Sequence, residues 1–176
     1  MQRVLPGSTL HYDGSTPGSA EILLSALFAG GDLMLAQVSH ISGLEPYVIQ
    51  NWVARGFLPP PVAKRYSRRQ LSRILIIHML RSVLPLEEIC RLLSYVNGHL
   101  DDISDDLVDD SALYMALVAL TEDDLPPIKT VLKDYREPFP GAQRRVEQVL
   151  EIMLLAYRAA MLKDEAQAYI GRLDIQ

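Results

Sequence analysis

The stretch from Met34 to Asn97 decides the fold, and it has the sequence MLAQVSHISGLEPYVIQNWVARGFLPPPVAKRYSRRQLSRILIIHMLRSVLPLEEICRLLSYVN. Apolar residues recur in it at intervals of three and four, which is the period of an α-helix. Glycines and prolines divide the stretch into four such runs, because these residues end or begin helices. The order predicts two short helices joined by a glycine turn, then a proline-rich connector, then two further helices.

The first two runs predict a helix-turn-helix. Leu35, Val38 and Ile41 give the first helix one apolar face, and Gly43 ends it as a left-handed C-terminal glycine does. Pro46 suits the first turn of the second helix, because proline at that position loses no needed hydrogen bond. The apolar side of this second helix consists of Ile49, Trp52 and Val53. Trp52 is therefore expected in the core rather than as an exposed stacking platform.

A connector with three consecutive prolines, residues 57–61, follows the second helix. Proline cannot continue a helix or sit in a central strand, so the connector must be extended. Its restricted backbone fixes the positions of Lys64 and Arg65, which follow it in the sequence. Ser67 and Gln70 then have the spacing of a capping box, which predicts that a helix starts at Arg68. Pro85 and two glutamates predict the start of the last helix of the stretch.

Residues 34 to 96 resemble the winged helix-turn-helix of MerR-type transcription regulators. The resemblance rests on four runs, which are Val38 to Gly43, Gly56 to Pro60, Arg65 to Ser67 and Leu86 to Ile89. It implies that the second helix enters the major groove of DNA and that wing residues contact phosphates. The expected fold class is all-α, a MerR-like helix-turn-helix with a shortened wing plus a C-terminal helical region. The whole chain is also similar to a bacterial family of unknown function, for which a role in transcription is expected.

Two features depart from the MerR pattern. Where MerR-type proteins carry Thr-x-Arg-Tyr-Tyr, residues 48–52 read VIQNW, so Gln50 takes the place of the arginine. Between Pro61 and Ser67 there is almost no room for a two-stranded hairpin. These departures favour a second hypothesis, a protein–protein interaction module that keeps the fold without binding DNA.

Charge is unevenly distributed along the chain, whose formal net charge is −5. From Glu45 to Leu84 there are seven basic residues and one acid, a local charge of +6. From His99 to Asp124 there are nine acids and no base, a local charge of −9. Basic charge concentrated around the wing is what phosphate contacts require.

The predicted DNA-binding residues lie on the second helix, the wing and the start of the next helix. They are Tyr47, Gln50, Asn51, Arg55, Lys64, Arg65, Arg68 and Arg69. Asparagine and glutamine side chains can read adenine with paired hydrogen bonds. Arg68 and Arg69 stand at a helix start, where the dipole disfavours cations, so their position favours a bound anion. The alternative for these residues is an ordinary solvated face.

The acidic stretch from Leu100 to Leu120 predicts an amphipathic helix with an aspartate-rich outer face. Its aspartates lack the spacing and the central glycine of an EF-hand loop. A solvated face, or a surface that meets the basic patch of a neighbouring subunit, is therefore preferred to a metal site.

Three segments make up the predicted domain organisation. Residues 1–18 show no hydrophobic period and predict a flexible or loosely packed arm. Residues 19–98 form the helix-turn-helix domain, and residues 99–176 form an acidic and helical C-terminal region. The last helix, from Ala142 to Leu173, carries an apolar stripe at spacings of three and four. This stripe either packs within its own subunit or pairs with its twin in a homodimer, as the resemblance implies.

Other classes of function find little support in the sequence. No nucleophile, phosphate-binding loop or ligand-spaced histidine set indicates an enzyme, and no cofactor or metal is predicted. One cysteine allows no disulfide framework. No apolar run approaches the ~20 residues of a membrane helix, and the N-terminus does not resemble a signal peptide, so a cytoplasmic protein is expected. The expected partners are double-stranded DNA and a second copy of the chain, with no membrane and with any small-molecule effector unknown.

Overall fold

The computed structural model describes residues 1–100, 102–122 and 126–173. Helices dominate the described residues and are α1 (Ser19–Leu27), α2 (Leu35–Ser42), α3 (Pro46–Ala54), α4 (Arg68–Leu80), α5 (Leu86–Asn97), α6 (Asp110–Leu120), α7 (Ile128–Val131) and α8 (Ala142–Ile170). The strands are β1 (Gln2–Val4), β2 (His11–Asp13), β3 (Leu33–Met34) and β4 (Arg65–Tyr66). A short 3₁₀ helix spans Ile103–Asp105.

The all-α fold class is wrong, because two small antiparallel sheets accompany the helices. In the first sheet, β1 pairs with β2 and places Arg3 opposite Tyr12. In the second, β3 pairs with β4 and places Leu33 opposite Tyr66. Each strand has only two or three residues, which is too short for the alternation that predicts a strand. The fold is thus predominantly helical with two short sheets.

The helix boundaries predicted between residues 34 and 97 are confirmed. Gly43 ends α2 in the left-handed region with φ of 70°, and Pro46 is the first residue of α3. The hydroxyl of Ser67 accepts a hydrogen bond from the Gln70 backbone, while the Gln70 side chain accepts one from the Ser67 backbone. This capping box starts α4 at the predicted residue.

Helix α4 lies at the centre of the core. From Gln70 to Leu80 every residue except His78 is buried, and α4 packs against α2, α5, α6 and α8. His78 is half-buried, and its Nδ1 lies 3.1 Å from the carbonyl oxygen of Gly7, to which it donates. Burial lowers the pKa of His78, so the neutral ring is favoured in this position.

The first 18 residues, expected to be a flexible or loosely packed arm, include the hairpin of β1 and β2 and a loop fastened to three helices. Leu5 is fully buried. The backbone N–H of Thr9 donates to the carbonyl of Ile41 at the end of α2, at 2.8 Å. The hydroxyl of Tyr114, in α6, donates to the carbonyl of Pro6 at 2.6 Å. The arm is therefore part of the folded unit and helps to cap α2.

The helix predicted over the acidic stretch begins later than expected. Helix α6 starts only at Asp110, and Asp109 is its N-cap, accepting hydrogen bonds from the backbone of Ser111 and Ala112. Residues 102–109 contain the 3₁₀ helix and otherwise irregular backbone. Asp101, Asp123 and Asp124 lie outside the described residues. The stretch thus supplies a cap and inward-pointing carboxylates rather than one long acidic helix face.

A buried ion pair joins α4 to α6. Nη1 of Arg73 lies 3.3 Å from Oδ1 of Asp110, and the two side chains are 4% and 1% exposed. The same oxygen accepts a hydrogen bond of 2.7 Å from Asn97, the last residue of α5. Nε of Arg73 donates to the carbonyl of Phe57, just after α3, at 3.1 Å. Three helices, α4, α5 and α6, and the connector therefore meet at one pair of charges.

The C-terminal helix α8 packs against its own subunit. The predicted stripe is buried through its first half, at Val146, Val149, Leu150, Met153 and Ala160, and it contacts α4, α5 and α6. Beyond Ala160, residues 161–173 are all exposed. In the described part of the chain, no helix combines the length and the apolar character needed to span a bilayer.

Replacing Asp110 with Ala should lower the free energy of unfolding by about 3–5 kcal/mol, because it leaves the buried Arg73 without its counter-charge. The matched control is Asp109→Ala, which removes an exposed N-cap and should cost only about 1 kcal/mol. Urea denaturation of both variants measures the difference. Equal losses in the two variants would contradict a structural role for the buried pair.

Candidate nucleic-acid interface

Helix α3 presents one polar flank to solvent. Tyr47 is 69% exposed, and Gln50 and Asn51 are also exposed. On the opposite side, Ile49 and Trp52 are buried, as expected from the sequence. The flank therefore carries three side chains that can donate or accept hydrogen bonds and are held on a rigid, packed helix.

The wing consists of one tight turn. Val62 and Arg65 exchange two backbone hydrogen bonds of 3.0 and 2.9 Å, and the two residues between them, Ala63 and Lys64, have φ of 48° and 62°. Positive φ at both central residues is the geometry of a type I′ hairpin turn, which usually contains asparagine or glycine. Non-glycine residues in this region are strained by roughly 1–3 kcal/mol each. The turn thus holds Lys64 at an exposed tip, and the backbone strain lowers the free energy of unfolding.

Two side chains of α4 fix the proline connector in place. The amide nitrogen of the buried Gln70 donates to the carbonyls of Pro59 and Pro60 at 3.1 and 3.0 Å. Arg73 holds the carbonyl of Phe57, as described above. The sequence predicts only a capping role for Gln70, and its contacts to the connector could not be foreseen from that role. The carbonyl groups of a proline-rich connector have no partners in a strand and need other hydrogen-bond donors. The glutamine at the third position of the next helix was the feature of the sequence that could have predicted such a donor.

The flank of α3 and the turn meet in one groove. Gln50 and Lys64 line it together, and its apolar lining is Leu35, Val53, Pro61 and Tyr66. Burial raises the pKa of the Tyr66 phenol at this site, which keeps it protonated. The groove places a polar helix side chain and a cation beside each other on one accessible surface.

Two of the predicted arginines form exposed ion pairs. Arg55 lies 2.8 Å from Glu87, with side chains 48% and 65% exposed. Arg68 contacts both carboxylate oxygens of Glu21 at 2.7 Å and is 30% exposed. Exposed pairs of this kind are worth less than about 1 kcal/mol, so a phosphate can replace the carboxylate at little cost.

Arg69 does not belong to this surface. Its guanidinium lies 2.5 Å from Asp106 and 3.4 Å from Asp110, and its side chain is only 18% exposed. Burial raises the pKa of Asp106, while the neighbouring Arg69 acts in the opposite direction. A phosphate contact would require breaking this half-buried cluster, so we leave Arg69 out of the candidate interface.

Lys64 and Arg65 have no carboxylate partner among residues 1–100, 102–122 and 126–173. Arg65 donates from Nη1 to the carbonyl of Asp32 at 2.9 Å, which orients its guanidinium. Both side chains are exposed. They are the predicted phosphate ligands whose charge is not already balanced by a carboxylate.

Residues 29–117 match the model of a family described as the domain of unknown function DUF1836. The match covers just over half of the chain, and the chain therefore belongs to this family. The uncharacterized protein YkrK of Bacillus subtilis (strain 168) is 30% identical over 103 residues, which cover 54% of this chain and 44% of YkrK. The chain thus spans less than half the length of this curated relative. No solved structure matches the chain.

Replacing Gln70 with Ala should cost about 2–3 kcal/mol, since it removes one side of the capping box and leaves two connector carbonyls without their donor. Ser67→Ala removes only the other side of the same box and should cost about 1 kcal/mol. Thermal or urea unfolding measures both, and hydrogen exchange of the Val62 and Arg65 amides should accelerate only in Gln70→Ala. Equal exchange in the two variants would show that Gln70 does not hold the connector.

Proposed function

We propose that this protein is a transcriptional regulator that binds duplex DNA as a homodimer, in the manner of MerR-type proteins. The observation that carries the proposal is the shared groove of Gln50 and Lys64, which joins the polar flank of α3 to the strained turn. A helix flank beside a basic hairpin tip is the arrangement with which a winged helix-turn-helix contacts a major groove and the adjacent backbone.

Each residue of the proposed interface has a distinct role. Gln50 and Asn51 contact base edges, where their amides can pair with adenine. Tyr47 precedes them on the same exposed flank and contacts the backbone or a base edge. Lys64 and Arg65 hold phosphates without first giving up a carboxylate. Arg55 and Arg68 join them by exchanging Glu87 and Glu21 for phosphate oxygens.

The second candidate is a protein–protein interaction module that keeps this fold without binding DNA. The ion pairs favour it, because Arg55, Arg68, Arg69 and Arg73 are all matched by carboxylates within the chain. The unpaired cations of the proposed interface are then reduced to Lys64 and Arg65. The formal net charge of −5 also opposes non-specific attraction to DNA.

The salt dependence of binding separates the two candidates. A labelled pool of genomic DNA fragments from the source organism should bind, and log K should fall linearly with log salt concentration. Replacing Lys64 with Gln, or Arg65 with Gln, should weaken binding to all fragments and reduce the slope by about 1. Lys133→Gln, an exposed cation far along the chain, is the control and should leave the slope unchanged. Absence of binding to any fragment at low salt would favour the interaction module.

Replacing Asn51 with Ala should act on selectivity rather than on general affinity. For a fragment enriched from that pool, affinity should fall by about 1–3 kcal/mol, because one base contact is lost. Affinity for unselected DNA and the salt slope should stay the same. Fluorescence anisotropy with the selected and a scrambled duplex measures both, and a parallel loss for the two duplexes would remove Asn51 from base recognition.

A further inference from the structure

A cavity of about 570 Å³ lies where the N-terminal loop, the end of α4 and the second half of α8 meet. One wall is the loop at Gly7, another is the end of α4 at His78, and the third is α8 between Tyr157 and Asp164. The residues of the proposed DNA interface do not line it. Its volume is that of a site for a small organic molecule.

Several polar side chains converge on this cavity with their bonding capacity unused. Within the described part of the chain, the hydroxyls of Ser82 and Tyr157 and the carboxylate of Asp164 have no hydrogen-bond or ion-pair partner. Arg81 also lines the cavity, and its guanidinium lies 5.8 Å from the ring centroid of Trp52. A contact of this kind at an exposed site is weak, so it leaves the guanidinium available to a ligand. A few convergent polar groups in one concave site are typical of ligand binding.

Hydrogen bonds between the walls hold the cavity in shape. Nδ1 of His78 donates to the carbonyl of Gly7 at 3.1 Å, which joins α4 to the loop. Nζ of Lys163 donates to the carbonyl of Ser82 at 2.9 Å, which joins α8 to the end of α4. A Cβ atom at Gly7 would overlap the carbonyl oxygen of Leu75, so the loop lies as close to α4 as glycine permits. The cavity is therefore formed before any ligand arrives.

A second cavity, of about 400 Å³, adjoins the first and is more apolar. The two share Tyr157 and Met161 of α8. Further apolar lining of the second cavity comes from the hairpin of β1 and β2 and its loop, at Val4, Pro6 and Tyr12. Arg3 lies at the same cavity, where it donates to the carbonyl of Thr121 at 3.5 Å. The two lobes together suit a ligand with a charged head and an apolar body.

We propose that this two-lobed cavity binds a free α-amino acid with a large apolar side chain. The carboxylate of the ligand pairs with Arg81, its ammonium group pairs with Asp164, and its side chain packs on Tyr157 in the direction of Tyr12. Arg81 and Asp164 have opposite charges on facing walls, so a ligand with a single charge would satisfy only one of them. A zwitterion satisfies both. The inference does not rest on the proposed function.

The test begins with isothermal titration calorimetry of the full chain, with L-phenylalanine and L-leucine as probes. At least one of them should bind with a Kd below about 1 mM. N-acetyl-L-phenylalanine lacks the ammonium group and L-phenylalaninamide lacks the carboxylate, while both keep the apolar side chain. The corresponding derivatives of L-leucine serve if that probe binds better. Each derivative should bind about tenfold or more weakly than its parent, because one charged hydrogen bond is lost.

Two variants assign each charge of the ligand to its side chain. Asp164→Asn should weaken binding of the amino acid about tenfold and abolish its preference over the N-acetyl derivative. Arg81→Gln should do the same for the preference over the amide. Both side chains are exposed, so the folded state and its circular dichroism should be kept. Glu165→Gln and Arg158→Gln change neighbouring exposed charges of α8 outside the cavity and are the matched controls, with wild-type affinities expected.

Three results would each overturn the inference. They are no binding of either amino acid, equal affinities for the parent and its two derivatives, and preferences that persist in Asp164→Asn and Arg81→Gln. Binding that depends on both charges, in a chain that fails to bind any DNA fragment, would support the amino-acid site and reject only the regulator.

Discussion

The structure depends on the burial of two opposite charges, Arg73 and Asp110. Neither could be buried alone without a cost of several kcal/mol, so their positions must be set together. Arg73 belongs to α4 and Asp110 opens α6, and their hydrogen bonds extend to the end of α5 and to the connector after α3. The orientation of the connector is therefore tied to the packing of the helices behind it. The surface that we propose for DNA is built on this interior constraint rather than on local turn preferences.

The same constraint changes the meaning of the charge pattern along the chain. The sequence separates a basic segment from an acidic one, and treated separately they suggest a phosphate-binding patch and a solvated acidic face. In the structure, Asp106 and Asp110 neutralise Arg69 and Arg73 inside one subunit. The basic surface that remains is smaller and is centred on the tip of the turn. A local charge sum overestimates a binding surface whenever two charged segments fold against each other.

The helices could be predicted from the sequence because their ends are determined by nearby residues. Gly43, Pro46 and the Ser67–Gln70 capping box each act within a few positions, and each marks a helix boundary. The short strands could not be predicted, since each has only two or three residues and therefore shows no alternation of apolar and polar positions. The turn at Ala63 and Lys64 lacks the asparagine and glycine that usually mark a type I′ turn, so its residue types did not predict it. The exposed flank of α3 could be predicted, whereas the carboxylate partners of the arginines could not.

The hydrogen bond between Tyr114 and Pro6 has a consequence for how the chain folds. Residues 1–18 leave the ribosome before the helices that they contact, yet their loop is completed by a residue 108 positions after Pro6. Its other contacts, to α2 and α4, also arise later in synthesis than the segment itself. Because long-range closure is slow compared with helix formation, the beginning of the chain docks late, onto helices that are already packed. During that interval the carbonyl of Ile41 at the end of α2 lacks its hydrogen bond from Thr9, and the nascent protein exposes the apolar surface that Leu5 later covers.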